Sequence, residues 1–180
     1  PNRVVMVDEA YADFGARSAV ELLNRYPNLV TVHTLSKSRS LAGLRVGYAL
    51  GSPNLISGLC CVRDSINSYT VDRLAQAGAV AALEDGPYFE EMRERVIRTR
   101  ERTEERLRAM GFAVLESKAN FLFVSHPKRT GKALLDGLRE QGILVRWFDR
   151  PRIGNYLRIS VGTDDEMDAL RAALKALTEG

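Results

Sequence analysis

Three short apolar runs, Val4 to Val7, Leu29 to His33 and Val46 to Leu50, punctuate the first fifty residues, and each ends near a polar or glycine-bearing segment. The first is rich in β-branched residues and reads as a buried strand. Between the first two, Ser18 to Arg25 carries a Ser N-cap ahead of Val20, Leu22 and Leu23, which suits a short helix or turn before Pro27. Strand, short connection, strand is the pattern of an α/β sheet. In such sheets ligands bind beyond the C-terminal ends of parallel strands, and Asp8 and the segment Thr34 to Lys37 fall there.

Helical pattern follows at Pro53 to Asp64 and at Val71 to Glu84, the second ended by Asp85-Gly86-Pro87. A long amphipathic helix from about Pro87 to Met110 stops at Gly111, and its length suits a connector between domains. Short strands are expected at Phe112 to Leu115, Phe121 to Ser125, Ile143 to Arg146 and Tyr156 to Val161, with helices at Gly131 to Gln141 and Asp164 to Thr178. They describe a small α/β unit on a mostly antiparallel sheet. The fold class is therefore α/β, with residues 1–86 in a larger domain, 87–110 as the connecting helix and 111–180 as a small C-terminal domain.

The 180 residues are 45% hydrophobic and 27% charged, an ordinary globular composition. The net charge of +3 comes from 26 basic and 23 acidic residues that are interleaved, most densely from Glu90 to Arg108. That alternation reads as a solvated helix face, so a nucleic-acid partner is not expected. Cys60 and Cys61 are adjacent, cannot staple a long loop and lack metal-ligand spacing, so no metal and a reducing, cytoplasmic setting are expected. His33 reads as a strand-end packing residue and His126 as a loop residue before Pro127. No apolar run approaches a membrane span and no signal-peptide layout is seen, so a soluble protein is expected. The chain opens at Pro1 without a Met and passes at once into a strand with nothing to cover it. The expectation is the C-terminal part of a longer protein.

The chemistry concentrates in Thr34-Leu-Ser-Lys-Ser-Arg-Ser-Leu-Ala-Gly-Leu-Arg-Val-Gly-Tyr48. Lys37 is flanked by the hydroxyls of Thr34 and Ser36 and followed by Arg45, so one amine nucleophile sits among groups suited to a phosphate. A phosphate-bearing aldehyde needs both, and together with Asp8 and Tyr11 the set points to pyridoxal 5'-phosphate (PLP). An unperturbed lysine, with a pKa of about 10.4, is protonated at neutral pH; a cationic neighbour such as Arg45 and partial burial both favour the neutral, attacking amine. Asp8 either caps a turn or pairs with a protonated pyridine nitrogen. Tyr11 either packs or donates to the ring oxygen. Arg45 lies in Gly43-Leu-Arg-Val-Gly47, where the glycines let backbone and cofactor approach closely.

Two further arginines interrupt apolar strands, Arg146 in Ile143-Leu-Val-Arg-Trp147 and Arg158 in Tyr156-Leu-Arg-Ile-Ser-Val161. Both are read as binding an anionic substrate, since a guanidinium suits carboxylate and phosphate. Asn120 is either a neighbour of the same pocket or a turn residue.

Asp8-Glu-Ala-Tyr11, Thr34-Leu-Ser-Lys37, Leu41-Ala-Gly-Leu-Arg-Val-Gly-Tyr48, Ala119-Asn-Phe121, Gly142-Ile-Leu-Val-Arg146 and Tyr156-Leu-Arg-Ile-Ser-Val-Gly-Thr163 follow in one order over nearly the whole chain. That order resembles the histidinol-phosphate branch of the fold type I, class I/II PLP-dependent aminotransferases. The resemblance implies a large PLP-binding domain with a mainly parallel sheet, a smaller C-terminal domain and a homodimer. It implies that Lys37 joins the cofactor and shuttles the α-proton, Asp8 binds the pyridine nitrogen, Tyr11 the ring oxygen, and Ser36 and Arg45 the phosphate. Arg158, helped by Arg146, holds the substrate's anionic end. The implied reaction moves an amino group between L-histidinol phosphate and 2-oxoglutarate.

Two departures stand beside the matches. The family's earlier half, with its glycine-rich phosphate cup, ring-stacking aromatic and Asn-Pro segment, has no counterpart here, so the chain alone is expected to bind PLP weakly or not at all. Asp64-Ser-Ile-Asn-Ser-Tyr-Thr70 stands where the branch more often has a Pro-aromatic-Asn-Val-Asn segment. The rival readings are a threonine-phosphate decarboxylase or aromatic aminotransferase of the same fold, and a non-catalytic sensor or dimerisation module.

Overall fold

The computed structural model describes residues 3–179. They form two compact units, one running to Arg93 and one beginning at Glu94. In the first, β1 (Val5–Asp8) lies parallel to β2 (Leu29–Thr34), and β2 lies antiparallel to β3 (Gly47–Gly51). Parallel pairing demands a crossover, because the chain must return to the same end of the sheet before it runs again. Here the crossover holds two 3₁₀ turns, Ala12–Phe14 and Ala19–Leu22. Ser18 caps the second by accepting the Val20 N–H at 3.1 Å.

Central β2 is buried, with Leu29, Val30 and Thr31 at 5%, 4% and 0% exposure. The expectation of a buried first strand fails: Val5 and Met6 are 50% and 68% exposed. Among the described residues β1 pairs on one side only. Of the unit's two strand pairings, one is parallel and one antiparallel.

Helix α1 (Pro53–Ile66) starts on Pro53, whose fixed φ suits a first helical turn. Helix α2 (Arg73–Glu84) begins two residues later than the apolar pattern, because Asp72 stays outside it and accepts the Ala75 N–H at 2.8 Å. Helix α3 spans Gly86–Ala109, and its residues up to Arg93 belong to the first unit.

The second unit carries β4 (Ala113–Val114), β5 (Phe121–Ser125), α4 (Gly131–Glu140), β6 (Arg146–Trp147), β7 (Leu157–Ser160) and α5 (Asp164–Glu179). Its sheet runs β4-β5-β7-β6, every pairing antiparallel. Side chains alternate across a strand, so Leu122 and Val124 of β5 and Leu157 and Ile159 of β7 all turn into a core shared with Leu107, Leu138 and Leu174. The other face carries Phe121, Phe123 and Arg158.

Strands β4 and β6 start later than their apolar runs, β6 sharing only Arg146 with the expected span, and the ends of the preceding helices account for the first residue lost from each. Gly111 and Gly142 take left-handed φ values of 85° and 75° just past α3 and α4. The next N–H turns back into the helix, Phe112 to Leu107 O at 3.1 Å and Ile143 to Leu138 O at 2.9 Å. This is the Schellman stop, which satisfies two late carbonyls and takes the first apolar residue out of the strand.

The charged stretch of α3 is also less solvated than its alternation suggests. Thr99, Arg100, Thr103 and Leu107 are buried, spaced at helical intervals. Arg100, 1% exposed, donates to Ala119 O at 3.0 Å. No described helix is long and apolar enough to cross a membrane.

His126 is buried at 5% exposure rather than lying in an open loop. Its ring sits 4.8 Å from Phe112, and its Nδ1 accepts the Lys128 N–H at 3.3 Å. Burial, reinforced by the Lys128 and Arg129 charges and opposed by a hydrogen bond with the Met110 backbone, holds its pKa below the ordinary histidine value of 6.5. Below that value the unfolded chain takes up a proton that the folded chain refuses, so stability falls as pH drops toward the folded pKa. Denaturant midpoints measured at about pH 7 and about pH 5.5 should show this loss, and His126→Phe should shrink it.

Candidate functional site

The parallel register pairs Asp8 with Val32, so β1 and β2 end side by side. Each strand end then delivers a polar segment to the same edge, Asp8 to Tyr11 from one and Thr34 to Lys37 from the other. Asp8 is exposed, and its Oδ1 accepts the Ala10 N–H at 3.0 Å. It therefore caps a turn with one oxygen and keeps the other available. The two segments meet where Lys37 Nζ lies 5.6 Å from the centre of the Tyr11 ring.

Lys37 is held by a loop built on Leu35, which is 3% exposed. Leu35 N–H donates to Val46 O at 3.1 Å, and Leu41 N–H donates back to Leu35 O at 3.0 Å. Thr34 Oγ accepts the Ser36 N–H at 3.1 Å and donates to Val46 O at 3.4 Å. That hydroxyl is thus engaged in shaping the turn. Ser36 is half-buried, whereas Lys37 is exposed where partial burial was expected.

Ser40 and Arg45 adopt left-handed φ values of 57° and 56°. Non-glycine residues there store strain, and such strain gathers at ligand-holding loops. Arg45 is exposed, and its Nη1 donates to Ala42 O at 2.7 Å.

The two glycines around Arg45 stand in different surroundings. A Cβ on Gly47 would stand 2.7 Å from His33 O, so Gly47 is demanded by the neighbouring strand β2. A Cβ on Gly43 would meet nothing within 4 Å.

In the second unit, Arg146 and Arg158 are register partners on β6 and β7. Directly opposed positions of an antiparallel pair share a face, and like charges there repel. The Arg158 guanidinium lies 4.1 Å over the Phe121 ring, and that of Arg146 lies 5.1 Å from the Phe148 ring. Asn120 enters β5 and accepts the Val161 N–H through its backbone carbonyl at 2.9 Å.

Sequence reading missed Glu9, the carboxylate beside Asp8. It is 7% exposed and accepts Ser18 Oγ–H at 2.6 Å and Ala19 N–H at 2.5 Å. The signal was available: adjacent acids at a strand end face opposite sides, so one of them turns inward. Ser38, which donates its hydroxyl to Asp13, ties the lysine loop to the first crossover turn and was missed as well. Tyr48 stacks on His33 at 4.8 Å, and burial followed by the Asp13 charge raises its phenol above the usual range.

Within the first unit the strand ends and their loops collect an amine, a free carboxylate oxygen, a phenol, a hydroxyl and a guanidinium. This donor set fits a phosphate-bearing pyridine aldehyde: the cations and hydroxyl suit the phosphate, the acid suits the ring nitrogen and the amine suits the aldehyde.

Comparison with known proteins gives matches along nearly the whole chain. The aminotransferase class I and II family model matches residues 1–174. A histidinol-phosphate aminotransferase of Marinomonas sp. (strain MWYL1) is 56% identical over 98% of this chain and 51% of its own length. One from Chromohalobacter salexigens is 58% identical over 97% of this chain and 50% of its own length. The crystal structure of histidinol-phosphate aminotransferase from Sinorhizobium meliloti in complex with pyridoxal-5'-phosphate superposes with a TM-score of 0.84 at 32% identity. It covers 98% of this chain and 49% of that one. The chain spans about half the length of the curated relatives it matches.

Since β2 leaves no room for a side chain at position 47, Gly47→Ala should force the strands apart and cost about 1–3 kcal/mol. Gly43→Ala, which meets open space, should change stability by no more than about 1 kcal/mol. Urea unfolding of the two variants checks the contrast.

Proposed function

Because the chain belongs to the class I and II aminotransferase family, we propose that it is the lysine-bearing part of a PLP-dependent histidinol-phosphate aminotransferase, exchanging an amino group between L-histidinol phosphate and 2-oxoglutarate. The observation that carries this reading is the meeting of Lys37 with Tyr11, beside Asp8, at the adjacent ends of parallel β1 and β2. Relatives bearing that activity in their names are 56% and 58% identical over nearly all of this chain.

When bound, PLP supplies an electron sink for the charge that develops at the amino-bearing carbon. The chain's residues take the following parts. Lys37 would hold the cofactor at its aldehyde carbon through Nζ, and as a free amine it would carry a proton to and from the substrate carbon. Asp8 accepts a hydrogen bond from the ring nitrogen and keeps it protonated. Tyr11 donates to the ring oxygen. Arg45 and Ser36 hold the phosphate, and Thr34 shapes the turn that presents Ser36.

Arg158 and Arg146 receive the substrate's anionic end. The substrate phosphate and glutamate's carboxylate are both anions that a guanidinium pair can hold bidentately, so one site serves both halves of the exchange. Asn120 lines the same pocket. Residues 1–86 belong to the large domain, 87–110 to the connecting helix and 111–180 to the small domain of a cytoplasmic homodimer.

A polypeptide of these 180 residues alone should bind PLP weakly and turn nothing over, since it spans about half the length of the curated relatives it matches. Borohydride reduction of the full-length protein with PLP, followed by peptide mapping, should place the reduced phosphopyridoxyl group on Lys37. A folded protein left unlabelled in excess PLP would overturn the reading. Arg45→Ala should weaken PLP binding by on the order of 1.5–3 kcal/mol, with Arg45→Lys between it and the parent. Transamination assays with histidinol phosphate, phenylalanine and threonine phosphate test the substrate, and Arg158→Ala should raise the KM for the phosphate substrate and for glutamate alike.

A further inference from the structure

The two segments that carry the cofactor-facing groups are flanked by a second pair of side chains. Glu9 directly follows Asp8, and His33 directly precedes Thr34. Parallel register brings them together: Asp8 pairs with Val32, and the Glu9 N–H donates to Val32 O at 2.8 Å. His33 Nε2 then lies 3.7 Å from Glu9 Oε2, with the side chains 11% and 4% exposed. Glu9 is also fastened to the crossover through Ser18 Oγ and Ala19 N, while the His33 ring contacts Thr31 Oγ at 3.0 Å and stacks on Tyr48 of β3. A buried carboxylate with two donors and a basic ring around it does not move cheaply.

By contrast, Asp8, Lys37 and Arg45 are exposed, so little of their own packing holds them. We infer that Glu9, acting with His33, is a positioning pair that sets the spacing between the Asp8–Tyr11 segment and the Ser36–Lys37 segment. The pair touches neither cofactor nor substrate. It acts from the buried side of the strand ends, as a joint between the two halves of the site. This inference rests on the PLP reading above.

The test uses the full-length protein and its Glu9→Gln, His33→Phe and double variants. Gln keeps an acceptor oxygen but not the charge, and Phe keeps a flat ring against Tyr48 but not the ring nitrogen. The readouts are the PLP dissociation constant and the visible circular dichroism of bound PLP, which reports how the ring is held and which a merely structural change elsewhere leaves alone. Glu9→Gln should weaken PLP binding about fivefold and reduce the dichroic band. The double variant should lose less than the product of the single losses. If Glu9→Gln fails to fold, Ser18→Ala carries the test, since it removes one donor and leaves the carboxylate in place; it should shift both readouts in the same direction. Unchanged affinity and dichroism in a folded variant overturn the positioning role, and strictly multiplicative losses overturn the pairing. A parent protein that acquires no visible PLP band fails differently, because it refutes the PLP reading itself.

Discussion

The parallel pairing of β1 with β2 is the constraint on which the rest of the first unit depends. Two parallel strands must end at the same edge, and the chain leaving each of them must turn over that edge. Asp8 opposite Val32 fixes the register, and a slip by one residue would exchange Asp8 for Glu9 on the exposed side. The order of two neighbouring acids along the chain therefore becomes a division of labour across the sheet. One acid stays open to a ligand and the other is buried and saturated with donors.

Element type was legible wherever periodicity was sustained. The apolar run of Phe121 to Ser125 coincides with β5, and the long amphipathic run ending at Gly111 coincides with α3 to within a residue at each end. What the pattern could not show was where a residue's backbone N–H would go. Phe112 and Ile143 look like strand residues by hydropathy, but their N–H groups close helix ends. Burial was the other gap. Val5 and Met6 are as apolar as core residues and yet lie in the open, while Arg100 and His126 are polar and lie inside, because a backbone carbonyl and a packed ring are waiting for them.

The site was legible in its local part and opaque in its long-range part. Lys37 and its flanking hydroxyls sit within one loop, so spacing along the chain was enough to single them out. The tie from Ser38 to Asp13 and the contact between His33 and Glu9 span about two dozen residues of sequence, and only the crossover geometry brings them together. Thr34 illustrates a third situation. Its place beside Lys37 suits a phosphate ligand, and the folded chain adds that its hydroxyl shapes the turn through the Ser36 N–H and the Val46 carbonyl.

The opposed arginines of β6 and β7 carry a thermodynamic consequence. Arg146 and Arg158 stand on facing positions of one antiparallel pair, and each guanidinium lies against an aromatic ring of its own, that of Phe148 or of Phe121. The negative face of a ring attracts a cation, so the two rings offset part of what it costs to set like charges opposite one another. Phe121 and Phe148 therefore act as counter-charges built from hydrocarbon, and the sheet keeps its two cations without an acid beside them on those strands.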